Sequence, residues 1–201
     1  MKTLLLASAL LASATLPAFA QGLVTDASKV EAGTYTIEPE HTRVRFDVSH
    51  FGFTKYDGEF RKVSGTLTLD PGKPDASKVD ITIATNSVQV PNAKLKEELD
   101  GAQWLDAAKF PEITFKSTKV VSTGADTADV TGDFTLHGVT KPLTLKVKFN
   151  GAGTNPVNKH YTSGFEATGQ IKRTEFGVKT YAPMISDTVD LDIDAAFEKS
   201  K

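Results

Sequence analysis

Along most of the chain apolar and polar residues take turns. Val44, Phe46, Val48 and His50 share one side of a segment whose other side carries Arg43, Arg45, Asp47 and Ser49. Leu67 and Leu69 alternate with Thr66 and Thr68, and Val79, Ile81 and Ile83 with Asp80, Thr82 and Ala84. Ile113 and Phe115 follow, then Val130, Gly132, Phe134 and Leu136, then Leu143, Leu145, Val147 and Phe149. Phe165, Ala167, Gly169 and Ile171 continue the pattern, and Val189, Leu191 and Ile193 alternate with Asp190, Asp192 and Asp194. A period of two is the signature of strands with one buried face, so these eight segments predict an all-β protein. Tyr35 to Ile37 predicts one more short strand. Turn-rich pieces such as Asp70-Pro71-Gly72-Lys73-Pro74 and Asn150-Gly151-Ala152-Gly153 separate the segments. An antiparallel sheet of this kind buries its apolar face by pairing with a second sheet or by closing into a barrel, and closure also removes exposed edges. The alternation leaves both open.

One stretch breaks the period. Leu95, Leu99 and Ala102 recur at helical spacing, with Asn92 as a candidate N-cap and Gly101 as a break. Trp104 to Ala108 supplies a further turn or two before Pro111 enforces extension. The expectation is one short helical excursion at about 92–108.

The first twenty residues are set apart. Lys2 precedes an apolar run from Leu4 to Leu16, and Ala18-Phe19-Ala20 offers small residues where signal peptidase cleaves. The run is short for a bilayer span, which takes about 20 residues. An exported, periplasmic protein that is not membrane-spanning is expected, cleaved after Ala20, with residues 21–201 forming a single domain. That part has 181 of the 201 residues, with 22 Lys and Arg (Lys2 removed) against 25 Asp and Glu. This near-balance gives no reason to expect nucleic acid as a partner. The absence of cysteine excludes disulfides, thiol chemistry and cysteinyl metal sites.

Candidate chemistry is sparse. His41 and His50 are nine residues apart on or beside one strand, nearly 30 Å if extended at about 3.3 Å per residue. Odd and even positions also point them to opposite faces, so they do not form a metal pair. His137 before Gly138 belongs to a turn, and His160 lies in a polar stretch. No nucleophile elbow and no glycine-rich phosphate cradle is present. No catalytic residue and no metal site is expected. The apolar face is the more informative one. A barrel of about eight strands has room for side chains or one small ligand. Gly132, Ala167 and Gly169 on its inward side leave space, and His50 or Arg173 is placed to meet a polar head at the mouth.

The motifs carry a resemblance over nearly the whole of this region. His41 with VRFDVSHFGF, Gly58-Glu59-Phe60, Ser64-Gly65 and Asn86-Ser87-Val88 come first. Leu99, Trp104-Leu105-Asp106 and Phe110-Pro111-Glu112-Ile113-Thr114-Phe115 follow. The run Gly132-Asp133-Phe134-Thr135-Leu136-His137-Gly138-Val139-Thr140-Lys141-Pro142 and the closing Arg173-Thr174-Glu175-Phe176-Gly177-Val178 are the most specific. In these the chain resembles the YceI-like family of exported lipid-binding proteins.

The resemblance implies an extended, eight-stranded, lipocalin-like antiparallel barrel whose apolar tunnel holds a polyisoprenoid or a quinone-like lipid. The expected wall is Val44, Phe46, Val48 and His50, then Ile81, Phe115, Phe134 and Leu136. Leu145, Val147, Phe149, Phe165, Ile171 and Phe176 complete it. An amphiphilic lipid is the expected partner and no other cofactor is expected. The oligomeric state is left open, a homodimer included. The function so implied is a periplasmic binding or carrier protein, not an enzyme. The alternatives are a hydrolase or isomerase of apolar substrates with His50 as acid–base group, and a stress-related protein without a dedicated ligand.

Overall fold

The computed structural model describes residues 22–200. The expected leader at 1–20, with its cleavage position, lies outside the described residues.

Eleven strands form one antiparallel sheet: β1 (Gly33–Ile37), β2 (Arg43–His50), β3 (Thr54–Phe60), β4 (Val63–Leu69), β5 (Lys78–Ala84), β6 (Val88–Gln89), β7 (Glu112–Ser122), β8 (Thr127–Leu136), β9 (Val139–Thr154), β10 (Tyr161–Lys172) and β11 (Ile185–Lys199). Three pairs are halves of longer staves. β11 pairs with β1 through Ile37↔Phe197 and with β2 through Val44↔Ile193. β2 pairs with β3 and β1 with β4, and β3 and β4 in turn meet β6 and β5. Counted as staves, β1–β2, β3–β4, β5–β6 and then β7 to β11 make eight, each beside its sequence neighbour. The β1–β11 pairing shuts the ring, so the closed barrel is an up-and-down meander.

Thr42 repairs the ladder at the first bend. Between β1 and β2 the backbone leaves register, and the Thr42 hydroxyl accepts from Ala196 N at 3.1 Å while donating to Glu38 O at 2.7 Å. A buried polar group needs such partners, and Thr42 is 2% exposed.

The eight alternating segments of the sequence fall one to a stave. The half-stave β3 escaped the pattern because its inward row is Tyr56, Gly58 and Phe60, only one of them plainly apolar. Gly58 is required there: a Cβ would lie 2.5 Å from Cζ of Phe46 on the neighbouring strand. The same logic corrects the expectation that Gly132 and Gly169 leave room inside. A Cβ on Gly132 would lie 2.6 Å from Phe115 Cζ, and one on Gly169 2.7 Å from Leu145 Cδ2. Their space is already filled by neighbours at the close packing of a protein interior.

Polar faces pair outward. Asp47 stands opposite Asp190 and Arg45 opposite Asp192. The facing carboxylates would repel, and Lys55 relieves them by bridging Asp47 at 2.8 Å and Asp190 at 3.3 Å. Arg45 does the same between Asp192 and Asp194, at 2.9 and 2.8 Å.

The helical excursion is shorter than its sequence pattern. α1 spans Ala93–Asp100, with the Asn92 side chain accepting from Leu95 N at 3.2 Å and Gly101 closing it. Trp104 to Ala108 forms turns instead of helix: Trp104 N and Asp106 N both donate to Gly101 O, and Asp106 has a positive φ of 47°. A left-handed residue there ends any helical continuation.

Strand directions sort the connections between two ends of the barrel. The helix end carries residues 51–53, 90–111, 137–138 and 173–184; the far end carries 70–77, 123–126 and 155–160.

Candidate functional site: an apolar tunnel through the barrel

The inward rows do not meet at the barrel axis. They leave a cavity of about 560 Å³ running from the helix end to the far end, within the range of about 300–1,000 Å³ common for ligand pockets. Its middle is walled by Val44, Phe46 and Val48 of β2, Ile81 of β5 and Phe115 of β7. Phe134 and Leu136 of β8, Leu145, Val147 and Phe149 of β9, and Phe165, Ala167 and Ile171 of β10 complete it with Leu191 and Ile193 of β11. His50 closes the β2 row at the helix end. Phe176 is the one expected wall residue placed elsewhere. It sits on the short 3-10 turn after β10, 4% exposed, with its ring edge-on to Phe134 at 5.4 Å. It therefore supports the wall from behind.

Loops complete the helix end, where strand periodicity gives no signal. Leu95 and Leu99 of α1, Trp104, Leu105, Val178 and Tyr181 converge there with Tyr56. The 3.6-residue spacing of Leu95 and Leu99 is the only periodic trace of this group in the sequence; Trp104, Leu105 and Val178 stand out there only as parts of motifs. At the far end the rim is polar, with Ser77, Lys78, Ser122, Asp126 and Thr127.

Arg173 lies at the helix-end wall and is 4% exposed. Its role differs from the expected contact with a polar head. Nε donates to Ser186 O at 2.8 Å, Nη1 to Val178 O and Thr180 O at 2.9 Å each, and Nη2 to Ile185 O at 2.7 Å. Four of five guanidinium N–H groups thus hold the loop that leads into β11 and the first two residues of that strand. The guanidinium stands 5.5 Å from the Trp104 ring centroid, a cation–π contact across the mouth. Burial lowers its pKa from the usual arginine value, and the nearby Asp187 charge opposes that shift. Asp187 is itself held below the ordinary carboxylate range. Burial pulls it upward, but hydrogen bonds from Thr174 and the charges of Lys172 and Arg173 outweigh that pull. Arg173 is a clamp that fixes the mouth's shape.

His50 is half-buried, with the Phe51 ring edge-on at 4.5 Å and Tyr56 at 6.4 Å. Among the described residues its ring has no hydrogen-bond or ion-pair partner. The other histidines stay apart from the tunnel. His41 pairs with Glu38 at 2.6 Å, His160 with Glu198 at 2.6 Å, and His137 Nδ1 lies 3.2 Å from Phe176 O. Among the described residues no three His, Asp or Glu groups cluster as a metal site, and no helix is long and apolar enough to cross a membrane.

Comparison with known proteins places this geometry. The YceI-like domain model matches residues 35–197. A UPF0312 protein of Pseudomonas savastanoi pv. phaseolicola is 43% identical over 169 residues, covering 83% of this chain and 87% of that protein. The crystal structure of Burkholderia cenocepacia BcnA superposes with a TM-score of 0.72 at 23% identity, covering 80% of this chain and 98% of that one. A polyisoprenoid binding domain from Saccharophagus degradans, implicated in plant cell wall breakdown, superposes with a TM-score of 0.59 at 16% identity. It covers 85% of this chain and 100% of its own. At those identities the two structures speak for the fold.

Proposed function

The chain belongs to the YceI-like family, and from that premise we propose that it is a binding or carrier protein for a long-chain isoprenoid or quinone-like lipid. The observation that carries this is the cavity itself: a long, almost wholly apolar space that the barrel's own side chains leave unfilled. Packed interiors do not keep such space without cost, since each unfilled volume forfeits contacts. A chain-like ligand would recover them, at about 25 cal/mol for each Å² of apolar surface removed from water. The polyisoprenoid binding domain that shares the fold supports the same ligand class. The tail lies among Phe46, Phe115, Phe134 and Phe149, and the head sits at the helix end, where the His50 ring has free hydrogen-bonding capacity. Export to the periplasm, with cleavage after Ala20, belongs to the same reading and is supported by the apolar run Leu4 to Leu16.

An acid–base role for His50 lacks a partner group. Among the described residues no hydrogen bond or ion pair orients its ring, and the Tyr56 ring stands 6.4 Å away, centroid to centroid, beyond the hydrogen-bond reach that proton transfer requires. Purification from the native host followed by organic extraction and mass spectrometry tests the proposal. One isoprenoid-type lipid per chain is expected; a lipid-free protein that takes up none in vitro would refute it.

A further inference from the structure

Seven large apolar side chains stand exposed among the described residues, and four of them crowd one corner of the helix end. Phe51 and Phe53 form the tip of the β2–β3 hairpin, 48% and 88% exposed; Tyr181 and Met184 lie on the loop entering β11, 59% and 52% exposed. The two loops are one unit. Phe51 N donates to Met184 O at 2.8 Å and His50 pairs with Ile185, while Thr180 Oγ1 ties the second loop to the segment after α1 by donating to Gln103 O at 2.5 Å. Arg173 holds the base of the second loop through the carbonyls of Val178, Thr180 and Ile185.

This prow is continuous with the tunnel. Tyr181 belongs both to the exposed group and to the cavity wall, where its ring meets Trp104 at 6.2 Å, and His50 next to Phe51 lines the same mouth. Neither tip carries a charged residue: 48–54 and 180–186 hold no Asp, Glu, Lys or Arg. Directly behind the tips stand the exposed Lys55 and Lys179, with Asp47 and Asp187 at the other ends of the same stretches, and Lys55 bridges Asp47 and Asp190. The far rim of the tunnel is polar by contrast.

We propose that the prow docks on the surface of a phospholipid bilayer, with Phe51, Phe53, Tyr181 and Met184 in the head-group region and Lys55 and Lys179 at its edge. Aromatic side chains favour that depth, and lysines reach back from apolar surroundings to polar ones. The inference rests on the lipid-binding reading for its purpose, because a ligand could then pass between bilayer and tunnel without crossing water. A second copy of the chain fits the prow less well. A stable partner interface takes about 800 Å² per side. Whole aromatic side chains bury only about 150–250 Å² each, so three partly exposed aromatics and one half-exposed methionine fall short.

Flotation of the purified protein with phosphatidylcholine vesicles tests this, while uptake of a fluorescent polyene fatty acid by delipidated protein reads the tunnel separately. The protein is expected to float, with little effect of added salt. Phe53→Ser should weaken vesicle binding about tenfold or more. Val157→Ser, at an exposed valine of the far end, should change nothing. Docking is overturned if the protein takes up the polyene but stays in the aqueous layer, or if both variants bind vesicles alike. It is also overturned if light scattering shows a dimer that Phe53→Ser dissociates. Vesicle binding without polyene uptake would leave docking standing and refute the tunnel reading instead.

Discussion

Replacing Arg173 by methionine keeps most of the side chain's bulk and removes the clamp at the tunnel mouth. Four carbonyls lose their donor. Those of Thr180 and Ser186 lie in half-buried surroundings and can turn to water, whereas the bonds to Val178 and Ile185 are buried. An unsatisfied buried acceptor costs about 1–3 kcal/mol, so two of them set the expected loss at about 2–6 kcal/mol. The desolvation that depresses the arginine pKa is recovered in the variant, which places the result in the lower half of that range. The loss should be local as well as global. Residues 177–186 hold the mouth, and their amide protons should exchange faster once the clamp is gone. Arg173→Lys should recover only part, because one ammonium cannot reach four carbonyls arranged around a planar fork. Urea unfolding gives the stability and hydrogen exchange gives the location. A loss below about 0.5 kcal/mol for Arg173→Met, with protection of 177–186 unchanged, would refute the clamp, since that is the scale of ordinary surface substitutions.

Gly132→Ala puts a methyl 2.6 Å from both the Lys116 carbonyl oxygen and Phe115 Cζ. Overpacking of this kind costs about 1–3 kcal/mol. A thermal melt should therefore fall by several degrees, and an unchanged melting temperature would show that the wall yields there. Tyr35 is fully buried, its hydroxyl donating to Glu31 O at 2.5 Å, and burial first, then Tyr161 and Glu31, push its pKa from 10.0 to about 12. The unfolded chain ionises first as pH rises, so the stability this group contributes is intact below pH 10 and is lost between 10 and about 12. Urea midpoints across that window should fall more steeply for the native protein than for Tyr35→Phe; parallel profiles would contradict the assignment.

The alternation of Val44, Phe46 and Val48 against Arg43, Arg45 and Asp47 determined the strand and which face it buries, because successive side chains point to opposite sides. The same holds for β7 to β11, whose clean alternation left little else to decide. Alternation supplied the eight segments, one to a stave, and motif resemblance carried the closed form; alternation by itself was equally consistent with a sandwich. Closure depends on Ile37 meeting Phe197, a pairing across 160 residues that no local pattern encodes. For the same reason β3 went unread: Gly58 is explained only by the Phe46 ring on the neighbouring strand. The tunnel divides likewise. Its middle follows from strand parity, so Ile81, Phe134 and Phe149 could be named from sequence. Its mouth is made by Trp104, Val178 and Tyr181 from loops with no period, held where they are by Arg173. Whether a small inward residue leaves space is also a property of its neighbours: Ala167 borders the cavity, while Phe115 and Leu145 fill the positions over Gly132 and Gly169. A chain's period fixes which way each side chain points, but volume is shared between strands distant in sequence, and only their packing shows what remains unfilled.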